Sequence, residues 1–167
     1  MNQRYDVIII GAGGAGLLCA MTAGQRGRSV AVLEHNERVG KKILISGGGR
    51  CNFTNLDAGP ENYISNNPHF CRSALSRYPS SEFIELVRKH GIEFYEKTLG
   101  QLFCKLSSKK IVGLLNNECR DAGVEILSGC EVDSLKAGNG FRLQTSQGDF
   151  ECESLVMATG ALSFPQL

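Results

Sequence analysis

The sequence has no Cys-x-x-Cys pair, although it carries seven cysteines: Cys19, Cys51, Cys71, Cys104, Cys119, Cys130 and Cys152. An odd number without that spacing argues against a disulfide framework, a zinc ribbon and a dithiol redox pair, and it makes a reducing cytoplasm the expected compartment. Long apolar runs are also missing. Residues 7–10 are apolar, but Asp6 precedes them and glycines follow, so neither a signal peptide nor a membrane span is expected there. Neither sign of charge is in excess: 18 Lys and Arg stand against 17 Asp and Glu, scattered along the chain. That balance gives no electrostatic footprint, so no nucleic-acid or membrane partner is expected; the expected substrate is an unidentified small molecule. His35, His69 and His90 share no metal-ligand spacing, so no metal is expected. There is no internal repeat and no low-complexity tract.

What is present is an ordinary globular composition: 167 residues, 42% hydrophobic and 21% charged, enough for one domain with its own core. Residues 5–10 form a continuous β-branched run that suits a strand buried in a parallel sheet. Residues 11–16 read as a turn, 17–25 as a helix stopped at Gly27, and 29–33 as a second buried strand ending at Glu34. This is a strand–helix–strand unit of the usual size. Residues 35–70 lack periodicity and are rich in Gly, Asn, Lys and Ser. Two helices are predicted next, one capped by Ser81 and one beginning at Ser107 or Ser108, followed by a strand over 124–127. Short alternating segments at 131–135, 141–145 and 149–153, split by glycine-rich turns, predict an antiparallel meander, and 154–158 a further buried strand. The expected fold class is α/β. It would be Rossmann-like, with a central parallel sheet, a loop and helical insert at 35–122 and a small β-meander at 130–153.

The strongest motif is Gly11-Ala12-Gly13-Gly14-Ala15-Gly16, placed between a strand and a helix. Gly11 permits the tight turn, Gly13 lets backbone approach a pyrophosphate, and Gly16 lets the helix pack on the strand. The helix N-terminus offers unpaired N–H groups to phosphate. Glu34 stands about twenty residues on, where an acid accepts hydrogen bonds from a ribose hydroxyl and disfavours a 2′-phosphate.

The motif alone does not separate FAD from NAD. Two later features favour FAD. Gly47-Gly48-Gly49 exposes backbone N–H groups, Arg50 adds a guanidinium suited to phosphate oxygens, and Asn52, Thr54 and Asn55 follow with neutral polar groups. The run Leu155-Val156-Met157-Ala158-Thr159-Gly160 is a buried strand ending in small residues, which could pass closely over a cofactor.

The run Lys42-Ile43-Leu44-Ile45-Ser46-Gly47-Gly48-Gly49-Arg50-Cys51-Asn52-Phe53-Thr54-Asn55 resembles the signature of a bacterial flavoprotein family that includes aminoacetone-oxidase-like and bile-acid-reductase-like proteins. The order of elements along the whole chain is similar to that family, and the segment 99–104 is similar to its Gly-Arg-x-Phe-Pro element, with Gln101 and Cys104 as departures. The resemblance implies an FAD-dependent oxidoreductase with NAD(P)H as a candidate electron donor. It implies that Gly11, Gly13, Gly14, Ala15 and Gly16 line the pyrophosphate and that Glu34 holds the adenosine ribose. Lys42, Gly49, Arg50 and Asn52 would lie along the cofactor towards the flavin, Val132 would contact adenine through its backbone, and Ala158, Thr159 and Gly160 would close over it. No general acid or base is evident, so the flavin would carry the hydride chemistry.

The family's substrate domain follows its Ala-Thr-Gly strand, whereas this sequence stops at Leu167, with Ala161 where the family has glycine. A truncated member is therefore expected, with an incomplete nucleotide-binding domain, weak FAD binding and little activity alone. An NAD-dependent dehydrogenase domain and a non-catalytic nucleotide-binding remnant stay open as alternatives. Cys51 reads as a packing residue, because no second cysteine is near it in sequence.

Overall fold

The structure, a computed structural model, describes residues 3–161. The sequence features at 162–167 lie outside them. In chain order the elements are β1 (Gln3–Ile10), α1 (Gly14–Gln25), β2 (Val30–Glu34), α2 (Lys41–Ile45), a 3-10 turn (Ser46–Gly49), β3 (Asn52–Asn55) and a second such turn (Pro60–Asn62). There follow α3 (Arg72–Arg77), α4 (Ser80–Lys89), β4 (Phe94–Glu96), β5 (Gln101–Cys104), α5 (Lys109–Asp121), β6 (Glu125–Ser128), β7 (Val132–Gly138), β8 (Gly140–Thr145) and β9 (Gly148–Met157). The chain forms two compact units, one of Met1–Ile43 with Leu115–Leu167 and the other of Leu44–Leu114.

The first unit is built on a six-stranded sheet in the order β6-β2-β1-β9-β8-β7. Its first four strands run parallel, with Ile8 opposite Ala31 on one side and Leu155 on the other. β2 is buried along its whole length, as a continuous apolar run covered on both faces requires. Ile8, Ala31 and Leu33 pack with Cys130, Leu143, Phe150 and Cys152 into one core cluster. Burial of each large side chain in such a cluster contributes about 1.5–3 kcal/mol. Leu17, Ala20 and Met21 are the buried apolar positions of α1. The helix approaches the chain that follows α5 so closely that a Cβ on Gly24 would meet the Ala122 carbonyl oxygen at 2.6 Å.

The α/β class and the strand–helix–strand unit are as expected. The meander, however, is joined to the central sheet. The two strands predicted at 149–153 and 154–158 are one ten-residue strand, β9. No glycine or proline separates Glu153 from Ser154, and β1 offers a continuous partner from Gln3 opposite Phe150 to Ile10 opposite Met157. β9 therefore carries β8 on its other edge at its start, and β7 beyond that.

The second unit, within the insert expected at 35–122, holds a separate antiparallel sheet in the order β3-β5-β4. Its centre is Leu102, Phe103 and Cys104, all buried, with Ile84 and Val87 of α4. Phe53 stacks edge-on against Phe94 at 5.5 Å between ring centroids. Ser81 does not cap α4: the helix begins one residue earlier, with Pro79 at the cap position and no side-chain cap. The Ser80 hydroxyl donates instead to the Leu56 carbonyl. Ser107 Oγ accepts the Lys109 N–H at the start of α5, while the buried Ser108 hydroxyl donates to the Leu44 carbonyl at 2.8 Å. Among the described residues no helix is long and apolar enough to cross a membrane, and no group of acidic, histidine and cysteine side chains could hold a metal ion.

Candidate functional site

In a parallel sheet the carboxyl ends of the strands gather one set of loops, and ligands of doubly wound folds bind there. Here the ends of β1, β2 and β9 bring together three of the sequence features. The Gly11 N–H donates to the Leu33 carbonyl, and the Ala158 N–H donates to the Ile10 carbonyl. Gly11 has φ +106°, and a Cβ on it would lie 2.5 Å from the Ala158 carbonyl oxygen. Gly16 is tighter still, because a Cβ there would lie 1.9 Å from the Gly11 carbonyl oxygen. These two glycines are demanded by the packing of turn, helix and β9.

Gly13 and Gly14 are different. Gly13 has extended backbone, φ −83° and ψ −174°, which any residue adopts. A Cβ on Gly13 would meet nothing within 4 Å, and one on Gly14 only the Ile43 Cδ1 at 3.8 Å. Gly13 caps α1 without a side-chain hydrogen bond, and the first turn of α1 carries no acid. Ala15 is exposed. The helix thus presents backbone N–H groups and its positive end to open space.

Glu34 is buried, with 6% of its surface exposed. Its Oε2 accepts the Ala12 N–H at 2.8 Å, which ties the end of β2 to the glycine turn. Its Oε1 accepts the Asn36 N–H at 2.9 Å and the Asn36 side-chain amide at 2.8 Å, and His35 Nδ1 lies 3.2 Å away. Burial pushes the carboxyl pKa up. The N–H groups of Asn36 and Ala12, the Asn36 amide and His35 outweigh it, so Glu34 titrates below the usual glutamate range. Each carboxylate oxygen has two lone pairs, and Oε2 has accepted one bond, which leaves room for one hydroxyl donor.

The remaining features divide between the two units. Gly129 and Cys130 donate to the Asn36 and Glu34 carbonyls, so Val132 follows two residues after the contact with the end of β2. Lys42 reaches the exposed segment after β9: its Nζ donates to the Ala161 carbonyl and lies 3.3 Å from where a Gly160 Cβ would stand. Thr159 is exposed beside them. Gly49, Arg50 and Asn52 belong to the second unit. Gly47, Gly48 and Gly49 are all left-handed, with φ +58°, +65° and +81°. A Cβ on Gly47 would strike the Phe103 ring at 2.7 Å, whereas Gly48 and Gly49 face open space. The Arg50 side chain is exposed, and the Arg50 carbonyl accepts the Cys104 N–H. The Asn52 amide, oriented to satisfy its neighbours, donates to the Thr54 and Leu102 carbonyls at 3.1 and 3.3 Å.

Cys51 is buried and left-handed, with φ +52°. Burial pushes its thiol up, against a hydrogen bond from Ser46. The structure places Cys104 beside it, a neighbour that sequence distance concealed; burial and the Cys51 charge push the Cys104 thiol up to about 11. Two further groups shape this end of β2. Asn36 holds the Glu34 carboxylate, and Gly40 donates its N–H to the Ala12 carbonyl at 2.8 Å, folding residues 35–40 back onto the glycine turn. The glycine itself, at φ +69°, was the available signal.

A dinucleotide phosphate needs outward backbone donors with no side chain in front, and a ribose needs a fixed acceptor with a lone pair to spare. The open Gly13 and Gly14, the uncapped α1 and Glu34 meet both needs.

Comparison with known proteins agrees with this architecture. The chain is similar to the ribosomal RNA dihydrouridine synthase of Escherichia coli K12, with 52% identity over 99% of this chain and 42% of that protein. It is similar to the 3-dehydro-bile acid delta(4,6)-reductase of Clostridium scindens at 31% identity, over 91% of this chain and 38% of that protein. The bile-acid-reductase likeness expected from the signature loop is therefore present, but at lower identity than a likeness to an RNA-modifying enzyme that the sequence did not suggest. The chain spans less than half the length of both relatives. Glycine oxidase from Geobacillus kaustophilus shares the fold, with a TM-score of 0.67 at 18% identity over 96% of this chain and 56% of that one. Residues 5–167 match the HI0933-like protein Rossmann domain, and the chain belongs to that family.

Proposed function

We propose that this chain is the FAD-binding part of a flavin-dependent oxidoreductase that reduces uridine in ribosomal RNA. The observation that carries the substrate is the 52% identity over 99% of the chain to a ribosomal RNA dihydrouridine synthase. The observation that supports the cofactor is the uncapped, side-chain-free end of α1 at Gly13 and Gly14, with Glu34 beside it. This reading replaces the expectation of an unidentified small-molecule substrate and no nucleic-acid partner, and puts the protein in the cytoplasm, where ribosomes are.

In this reading the N–H groups of Gly13, Gly14, Ala15 and Gly16 bind the pyrophosphate, with Gly11 shaping the turn. Glu34 Oε2 orients the adenosine ribose, and the backbone at Val132 borders adenine. Ala158, Thr159 and Gly160 form the wall of the site at the end of β9. By the resemblance alone, Lys42 would lie on the flavin side of the cofactor, and Gly49, Arg50 and Asn52 of the second unit are flavin-side candidates, the Arg50 guanidinium being suited to phosphate charge. If FAD is held there and reduced by NAD(P)H, the candidate donor, it would supply the hydride. Dihydrouridine differs from uridine by one hydride and one proton across the uracil double bond. No residue of this chain is assigned the proton.

Two measurements test this. The purified protein should be yellow and retain FAD through gel filtration, and ribosomal RNA from a strain lacking the gene should lose one dihydrouridine that a plasmid copy restores. Unchanged dihydrouridine would remove the RNA substrate, and a protein that never retains FAD would remove the cofactor.

A further inference from the structure

We propose that the loop at 60–71, with the helix that follows it, is a docking surface for single-stranded RNA; the inference rests on the reading of ribosomal RNA as substrate. The Cys71 thiol donates to the Pro60 carbonyl at 3.9 Å and closes the loop. Within it Ile64 is fully exposed, Phe70 is 76% exposed and Tyr63 52% exposed. Single exposed apolar residues are ordinary, but three large ones within eight positions of one closed loop are the kind of clustering that accompanies an interaction site. Local hydrogen bonds, from the His69 N–H to Asn67 Oδ1 and from the Phe70 N–H to the Asn67 carbonyl, shape this part of the loop. α3 comes next, and Arg72 and Arg77 on it are exposed.

Charge decides what could cover this surface. Between Glu61 and Glu82 the chain has no acidic residue, while it carries His69, Arg72 and Arg77. The near-neutral total of the whole chain hides this local excess. An acidic or apolar protein surface would use either the cations or the rings. Single-stranded RNA uses both, because unpaired bases stack on aromatic faces and phosphates pair with guanidinium groups. Uridine must also leave its helix for its C5–C6 bond to be reduced, so an unpaired segment is the form of RNA the reaction needs.

The test is fluorescence anisotropy of a labelled, unstructured uridine-rich 15-nucleotide RNA with the purified protein, over a salt series. The double variant Tyr63→Ala/Phe70→Ala should weaken binding at least about tenfold, the scale of lost base stacking. Arg72→Gln/Arg77→Gln should weaken it and flatten the slope of log affinity against log salt by about 1.4, two single-strand phosphate contacts. Lys109→Gln/Lys110→Gln, which removes the same charge from α5, should change neither. Thermal melting and FAD content should stay as in the parent protein. The proposal is overturned if the parent protein does not bind the RNA, if the loop variants bind it as the parent does, or if the α5 variant loses as much. It is also overturned if the loop variants lose stability or FAD together with RNA, which would make the loop a packing surface for another part of the protein. Dihydrouridine in ribosomal RNA from the deletion strain separates the two ideas: its loss with unaltered RNA binding by the loop variants removes the docking surface and leaves the substrate.

Discussion

Gly16 sits so close to Gly11 that a Cβ on it would lie 1.9 Å from the Gly11 carbonyl oxygen, while three residues earlier Gly13 has nothing within 4 Å of the same position. One motif therefore contains two kinds of glycine. Gly16→Ala forces backbone against backbone, and overpacking of that sort costs about 1–3 kcal/mol or more. A fall in melting temperature should be its main effect. Gly13→Ala has space and an ordinary backbone, so melting should shift little, the usual change away from packed sites being within about 0.5 kcal/mol. FAD affinity should still fall at least about tenfold, because the methyl occupies the space left for the pyrophosphate. Equal FAD affinity in Gly13→Ala and the parent would show that no phosphate approaches there.

Glu34 supports both the fold and the ligand. Its folded pKa lies below the usual value, so the stability it contributes is fully present above the unfolded pKa, about 4.3, and is lost as pH falls through the lower folded value. Glu34→Gln keeps the shape but places an amide N–H₂ against the N–H of Ala12 or of Asn36. An unsatisfied buried donor of that kind costs about 1–3 kcal/mol. Urea denaturation should show that loss at pH 7. The difference between variant and parent should shrink as the pH falls below about 4, and a constant difference would mean that Glu34 is not held ionised by these contacts.

The glycine turn and Glu34 are legible from sequence because their signals are local: a β-branched run, a glycine turn, a second run and a terminal acid. The insert is not. β3, β4 and β5 have four, three and four residues, too short for any period to register, and β3 finds its partner β5 about fifty positions away, Asn52 opposite Phe103. β9 reads as two segments because its first half alternates and its second half is continuous; the change falls where β8, paired antiparallel as far as Cys152, ends on one edge while β1 continues in parallel on the other to Met157. Cys104 closes β5, so its approach to Cys51 depends on the same long-range pairing and has no local signal. The basic, aromatic character of 62–81 is local and leaves no trace in a net charge of +1 for the whole chain.

Tyr5 provides a check at the other end of β1. Its hydroxyl donates to Glu125 Oε2 at 2.5 Å. Burial, then the hydrogen bond to Glu125 and its charge, raise the phenol to about 12. A raised pKa means that stability from this pair is complete below the ordinary value of about 10 and declines as pH rises towards 12. In Glu125→Gln the charge is gone and burial stays, so Tyr5 should titrate below its parent value but still above about 10. Absorbance at high pH, compared between parent and Glu125→Gln, should show a late-titrating phenol in the parent that moves to lower pH in the variant; identical titration of the two proteins would contradict the contact.

The cysteines make the last comparison. Cys51, Cys104, Cys119, Cys130 and Cys152 are buried, whereas Cys19 and Cys71 are partly exposed. Burial pushes Cys104 and Cys119 each up to about 11, so at pH 8 almost none of either is thiolate, the form that reacts. Native protein treated with iodoacetamide at that pH should be modified at Cys19 and Cys71 first, with the other five protected until denaturant is added. The neighbours Cys51 and Cys104 carry the sharpest consequence. If they serve only packing, Cys51→Ala should retain FAD and leave ribosomal dihydrouridine unchanged, with a loss of stability of at most about 1–2 kcal/mol for the lost packing. A Cys51 that labels as fast as Cys19 in the native protein, together with loss of dihydrouridine in the alanine variant, would instead make it a reactive thiol of the site.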